Sequence, residues 1–78
     1  MTLDELKNLI SLDQINRDEV IAALREPLAD NDDSHFRLKL RQAITSANIY
    51  YSSLKWGYFG TVEKAKARLI ADIAKATA

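Results

Sequence analysis

Apolar residues recur at intervals of three and four along almost the whole chain, and no stretch alternates convincingly at two. That is the period of helices buried along one stripe, and it predicts four of them. The first is expected over residues 3–11. Thr2 and Glu5 have the spacing of a capping box, Met1 can staple onto Leu6, and Leu3, Leu6 and Ile10 form the inner stripe. The second is expected over residues 17–26 and repeats the device, with Asn16 and Glu19 at its start and Ile15 placed to staple onto Val20. Its inner face is Val20, Ile21, Leu24 and Leu28, and Pro27 is expected to end or kink it by disfavouring helix at Glu26.

A polar segment from Ala29 to Ser34 offers N-caps and favourable charge for a third helix over residues 35–56. At 1.5 Å per residue that helix is about 33 Å long, against a diameter of about 30 Å for a compact domain of this size, so it must cross the whole molecule. Its inner stripe reads Phe36, Leu40, Ala43 or Ile44, Ala47, Tyr51 and Leu54. Gly57-Tyr58-Phe59-Gly60 reads as the turn, its glycines permitting positive φ, and a fourth helix over residues 62–76 packs through Val62, Ala65, Leu69, Ile73 and Ala76. The expected fold is all-α: one domain over residues 1–78, a small four-helix bundle or orthogonal helical array with one long third helix.

Composition narrows the setting. Seventy-eight residues leave room for one small core, and 47% hydrophobic with 28% charged residues is the balance of a folded domain. The chain has no cysteine, which removes disulfides, thiolate metal sites and cysteine nucleophiles together. A secreted domain this small usually needs such staples, so a cytoplasmic setting is expected. The acidic start, Met1-Thr2-Leu3-Asp4-Glu5, is not that of a signal peptide, and no run approaches the length of a membrane span.

The formal charge is zero, yet it is divided between the halves. Residues 1–34 hold nine acids against Lys7, Arg17 and Arg25, a net −6, and residues 35–78 hold eight cations against Glu63 and Asp72, a net +6. A dipolar small protein points to a binder before it points to an enzyme.

The candidate chemistry agrees. The single histidine, His35, stands beside Ser34 and several aspartates, but neighbours at a helix start do not converge as nucleophile, base and orienter must. Asp30-Asn31-Asp32-Asp33-Ser34 imitates the opening of a calcium loop and then fails it, with His35 where glycine is needed and Arg41 where glutamate is needed. Two glycines around Tyr58 and Phe59 do not make a phosphate cradle. No catalytic residue, metal site or cofactor is expected.

Two surface features remain. Tyr50, Tyr51, Trp56, Tyr58 and Phe59 crowd ten positions, more large rings than so small a core can hold, and Trp56 falls near the line of Ile49, away from the inner stripe. A protein interface is therefore expected at Tyr50, Trp56, Tyr58 and Phe59 with Arg41 and Lys55, the mixture of rigid rings and guanidinium found at interface hot spots. The chain then reads as a small adaptor, inhibitor or regulator, of a kind common on phages and other mobile elements, that acts by occupying a partner protein. The alternative is a nucleic-acid surface formed by Arg37, Lys39, Arg41, Lys55, Lys64 and Arg68, with aromatic rings nearby for stacking. The length of the third helix and the charge split also favour a homodimer over a monomer.

Overall fold

The computed structural model describes the backbone of residues 1–57 and 59–77, and the side chains of these except at 59–61. Four helices follow one another: α1 (Leu3–Ser11), α2 (Arg17–Asp30), α3 (Ser34–Trp56) and α4 (Phe59–Thr77). The fold class, the number of helices and the long third helix match the sequence reading. Packing joins α3 to α4 and α2, and α1 to α4 and α2, so α1 and α3 take diagonal corners of the bundle. The molecule extends 37 × 20 × 19 Å, and the 23 residues of α3 run nearly its full length.

Local rules account for the helix starts. Thr2 accepts the backbone N–H of Glu5, Asn16 accepts that of Glu19, and Asp33 accepts those of His35 and Phe36. Ile15 joins Val20 in the core, as the staple requires, whereas Met1 is 63% exposed. Gly57 ends α3 in the left-handed region at φ 73°, its N–H bonded to the carbonyl of Ser53 at 3.0 Å.

Two boundaries differ from expectation. Helix α2 continues through Pro27 to Asp30, and the chain leaves it only at Asn31, which is extended. What holds this last turn is tertiary: the Arg37 guanidinium donates to the carbonyls of Leu28 and Asn31. Helix α4 begins at Phe59, earlier than expected, so Gly60 lies in its first turn and not in the connection.

The core is one cluster drawn from all four helices, with Leu6, Ile10, Val20, Leu24, Leu40, Leu69 and Ile73 almost fully buried. The expected inner stripes of α1, α2 and α4 are the observed ones. On α3 the stripe is turned toward α4 in its second half. Leu40, Ala43 and Ala47 are buried as expected, but they are followed by Tyr50 and Ser53, while Tyr51 is half-buried and Leu54 is 47% exposed. Tyr50 is drawn inward because its hydroxyl reaches Asp13 in the turn between α1 and α2, and Tyr51 reaches the carbonyl of Ile15 in the same turn. Leu54 stands a turn beyond those contacts. Among the described residues no helix is long and apolar enough to cross a membrane.

Candidate functional site

Helix α3 buries one side and leaves the opposite side in water, and that outward side is not uniformly polar. Leu38 is 55% exposed, Ile49 49% and Trp56 69%. At about 100° per residue the three project within about 20° of one another, so they form a single line along the helix. Gln42, Thr45 and Ser52 complete that line at alternating steps of four and three. The face belongs to the corner diagonal to α1, and the grooves on either side of it are formed with α2 and α4.

Two open hollows lie along this line. One, about 310 Å³, is lined by Asn48, Ile49, Ser52, Ser53 and Trp56. The next, about 320 Å³, is lined by Gln42, Thr45, Ser46 and Ile49 of α3 and by Arg68, Asp72 and Lys75 of α4. Serine or threonine lines both, beside Ile49 in each and Trp56 in the first. The α3–α4 seam beneath the second hollow is polar but satisfied: the buried Ser46 hydroxyl donates to the buried carboxylate of Asp72.

Cations border the line. Arg41 and Lys55 are exposed on its α2 side, and the Lys55 ammonium sits 5.8 Å from the centroid of the Trp56 ring, within cation–π range. On the α4 side, Lys64, Arg68 and Lys75 share the flank of α4 that Asp72 turns toward α3, spanning about 80° of its circumference. Arg17 bridges from α2, donating to Asn48 of α3 at 3.0 Å and pairing with Asp18. Near the start of α3 a third hollow is lined by Asp32, Ser34, His35, Arg37, Leu38 and Arg41.

The expected interface residues are thus divided. Trp56, Arg41 and Lys55 share one outward face. Tyr50 does not belong to it: the ring is 2% exposed, packed at 4.8 Å against Tyr51, and fills the core because its hydroxyl has a partner on the α1–α2 turn. Tyr58 lies outside the described residues, and for Phe59 only the backbone is described, as the first residue of α4. The expected nucleic-acid set is divided as well. Arg37 is half-buried, with its guanidinium engaged by the carbonyls at the end of α2. Lys39 is half-buried on the side of α3 away from Arg41. Arg41, Lys55, Lys64 and Arg68 remain exposed around the α3 line. Leu38, Ile49 and Lys75 were not among the sequence candidates, although the seven-residue steps Leu38–Thr45–Ser52 and Gln42–Ile49–Trp56 are a visible signal for a second packing line.

A separate polar cluster joins the α1–α2 turn to the body of the bundle. Asp13 sits at positive φ, 56°, and its carboxylate accepts from Lys66 at 3.0 Å and from Tyr50 at 3.1 Å. The Lys66 ammonium also donates to the Ser11 carbonyl at 3.1 Å. Hydrogen bonding from Lys66, then from Tyr50, holds the Asp13 carboxyl below its ordinary value. Burial, then the bond to Asp13, pushes the Tyr50 hydroxyl up to about 12. Every group here is satisfied by a structural neighbour, so the cluster fastens the turn. Among the described residues no group of three His, Cys, Asp or Glu side chains is placed to hold a metal ion.

Comparison with protein-family models, curated proteins and solved structures returns no match, so the functional reading rests on the α3 face itself.

Proposed function

We propose that this protein is a non-catalytic interaction module that binds a partner protein through the outward face of α3. The observation that carries the reading is the line of Leu38, Ile49 and Trp56: three large apolar side chains held in water on one side of the longest helix. Scattered apolar residues are ordinary on a surface, but an aligned set beside arginine and lysine has the composition of a recognition patch. Trp56 would be the anchor, Ile49 the centre, and Arg41 and Lys55 the polar rim.

Photo-crosslinking from position 52, between Ile49 and Trp56, in an extract of the native cells tests the reading. A crosslinked protein expected for the wild-type face should disappear when Ile49→Ser and Trp56→Ala are combined, with the fold intact by circular dichroism. An identical crosslinking pattern for wild type and double variant would overturn it.

The exposed cations Arg41, Lys55, Lys64 and Arg68 support a second reading, nucleic-acid binding with Trp56 as a stacking ring. It predicts Trp56 quenching by random oligonucleotides that fades steeply between about 50 and 200 mM salt.

A further inference from the structure

We infer that the occupant of the α3 face is an α-helix of a partner protein, one that carries apolar side chains seven residues apart and acidic residues on its flanks. The inference rests on the preceding reading of that face and adds the shape and charge of what binds there.

The shape follows from the hollows. When two helices pack in register, each apolar knob of one enters a hole made by residues i, i+3, i+4 and i+7 of the other. Ile49, Ser52, Ser53 and Trp56 stand in that relation, and they line the first hollow. Gln42, Thr45, Ser46 and Ile49 stand in the same relation one heptad earlier, and they form the α3 wall of the second. The two holes share Ile49 and are displaced by seven residues, about 10.5 Å along the axis. A helix presents side chains on one face at that repeat. A strand presents them on one face at about 7 and 13 Å and would miss the second hole. Small residues at the corners, Ser52 with Ser53 and Thr45 with Ser46, let a knob seat deeply between Ile49 and Trp56. From Leu38 to Trp56 the line runs about 27 Å, room for some five turns of a bound helix.

The charge follows from the flanks. Arg41 and Lys55 lie along one side, and Arg68 and Lys75, themselves seven apart, along the other. Among the described residues lining the two hollows the one carboxylate is Asp72, and it is engaged by Ser46. Flanking positions of a packed helix pair select partners by charge, so a fitting helix carries glutamate or aspartate there. The same residues weigh against a second copy of this chain. An antiparallel pairing in the matching register sets Trp56 of one copy on Leu38 of the other and Ile49 on Thr45. It also sets Arg41 of each copy beside Lys55 of the other, a repulsion repeated at both ends.

Three tryptophan-free synthetic peptides of three heptads test this against the full-length chain: leucine at both seam positions with glutamate flanks, the same seam with lysine flanks, and the glutamate peptide with its leucines shuffled out of register. The readouts are peptide anisotropy and Trp56 emission. The expected result is binding of the glutamate peptide with a blue shift of Trp56, at least tenfold tighter than either other peptide. That preference should fall at least tenfold in Arg41→Glu/Lys55→Glu, and binding should be lost in Ile49→Ser. Equal binding of the lysine or shuffled peptide, or no binding of the glutamate peptide, overturns the inference. So does sedimentation showing a dimer of the chain that Ile49→Ser dissolves, because the occupant would then be a second copy. Failure here is separable from failure of the face itself: a cellular crosslink at position 52 that Ile49→Ser abolishes but the glutamate peptide does not compete would keep the interface and discard the acidic helix.

Discussion

The hydroxyl of Tyr50 donates a 3.1 Å hydrogen bond to the carboxylate of Asp13, tying the middle of α3 to the turn between α1 and α2. Because α1 and α3 are diagonal in the bundle, this bond spans a gap that helix packing alone does not close. Tyr50→Phe keeps the ring in the core and removes only the bond. It should cost about 1 kcal/mol, the usual net worth of one hydrogen bond, or about 4–8 °C in Tm for a domain of this size. Thermal denaturation followed by circular dichroism checks it, and an unchanged Tm would mean that Lys66 and the Tyr51 bond to the Ile15 carbonyl hold the turn without it.

The same bond makes the alkaline limb of stability specific. The Tyr50 hydroxyl titrates at about 12 in the folded protein, against 10.0 ordinarily, so the folded chain holds this proton more tightly than the unfolded one. Its contribution is fully present below pH 10 and is lost progressively as pH rises from 10 toward 12. Absorbance titration of tyrosinate should show a class ionising near 12, and that class should vanish in Tyr50→Phe. Tyr51, also raised by burial, ionises late as well and should remain in the variant.

At the acid end the sign reverses. Lys66, then Tyr50, lowers the Asp13 carboxyl below its ordinary 3.8, so protonation favours the unfolded chain. The contribution is present above the ordinary value and is lost as pH falls through it toward the lower folded value. Asp13→Asn tolerates the positive φ of 56° at this position while removing the charge. Its Tm should fall relative to wild type at neutral pH, and the difference should shrink as pH drops below 3.8. A gap that stays constant with pH would assign the loss to geometry and not to the ion pair.

Arg37 shows what the sequence could and could not disclose. Local rules predicted the caps at Thr2 and Asn16, the Gly57 terminus and the inner stripes of α1, α2 and α4, because each depends on residues a few positions apart. Long-range partners decided the rest. Pro27 reads as a helix end until Arg37, from the next helix, supplies hydrogen bonds to the carbonyls of Leu28 and Asn31. Tyr50 and Tyr51 flank the α3 stripe about equally by angle, and only the position of the α1–α2 turn settles that Tyr50 is the more buried. The face proposed for binding was half legible. Trp56, Arg41 and Lys55 stood out by type, whereas the hollows beside them are made of serine and threonine, which carry no signal until the line they share is known to face water.

Arg37→Ala accordingly tests structure and not binding. Losing a charge-assisted donor to two half-buried carbonyls should cost about 1–3 kcal/mol and fray the turn after Pro27. Arg41→Ala and Lys55→Ala, both at exposed sites, should stay within about 0.5 kcal/mol of wild type. Amide exchange at residues 28–31 reads the difference directly: it should accelerate in Arg37→Ala alone. Equal protection in all three variants would show that the last turn of α2 holds without the guanidinium.

Trp56 and Leu69 make the sharpest contrast between an exposed side chain and one that builds the core. Leu69 is 0% exposed in the cluster shared by all four helices, so Leu69→Ala opens a cavity and should cost about 2–5 kcal/mol, a large share of the stability of so small a domain. Trp56 is 69% exposed and Ile49 49%, so Trp56→Ala and Ile49→Ser should change stability by no more than about 0.5 kcal/mol each. Urea denaturation measures both, with the two surface changes expected to add because each acts on solvent-facing atoms. A loss of 2 kcal/mol or more in Trp56→Ala would instead make the ring part of the core at the end of α3, and the interface would have to be sought elsewhere.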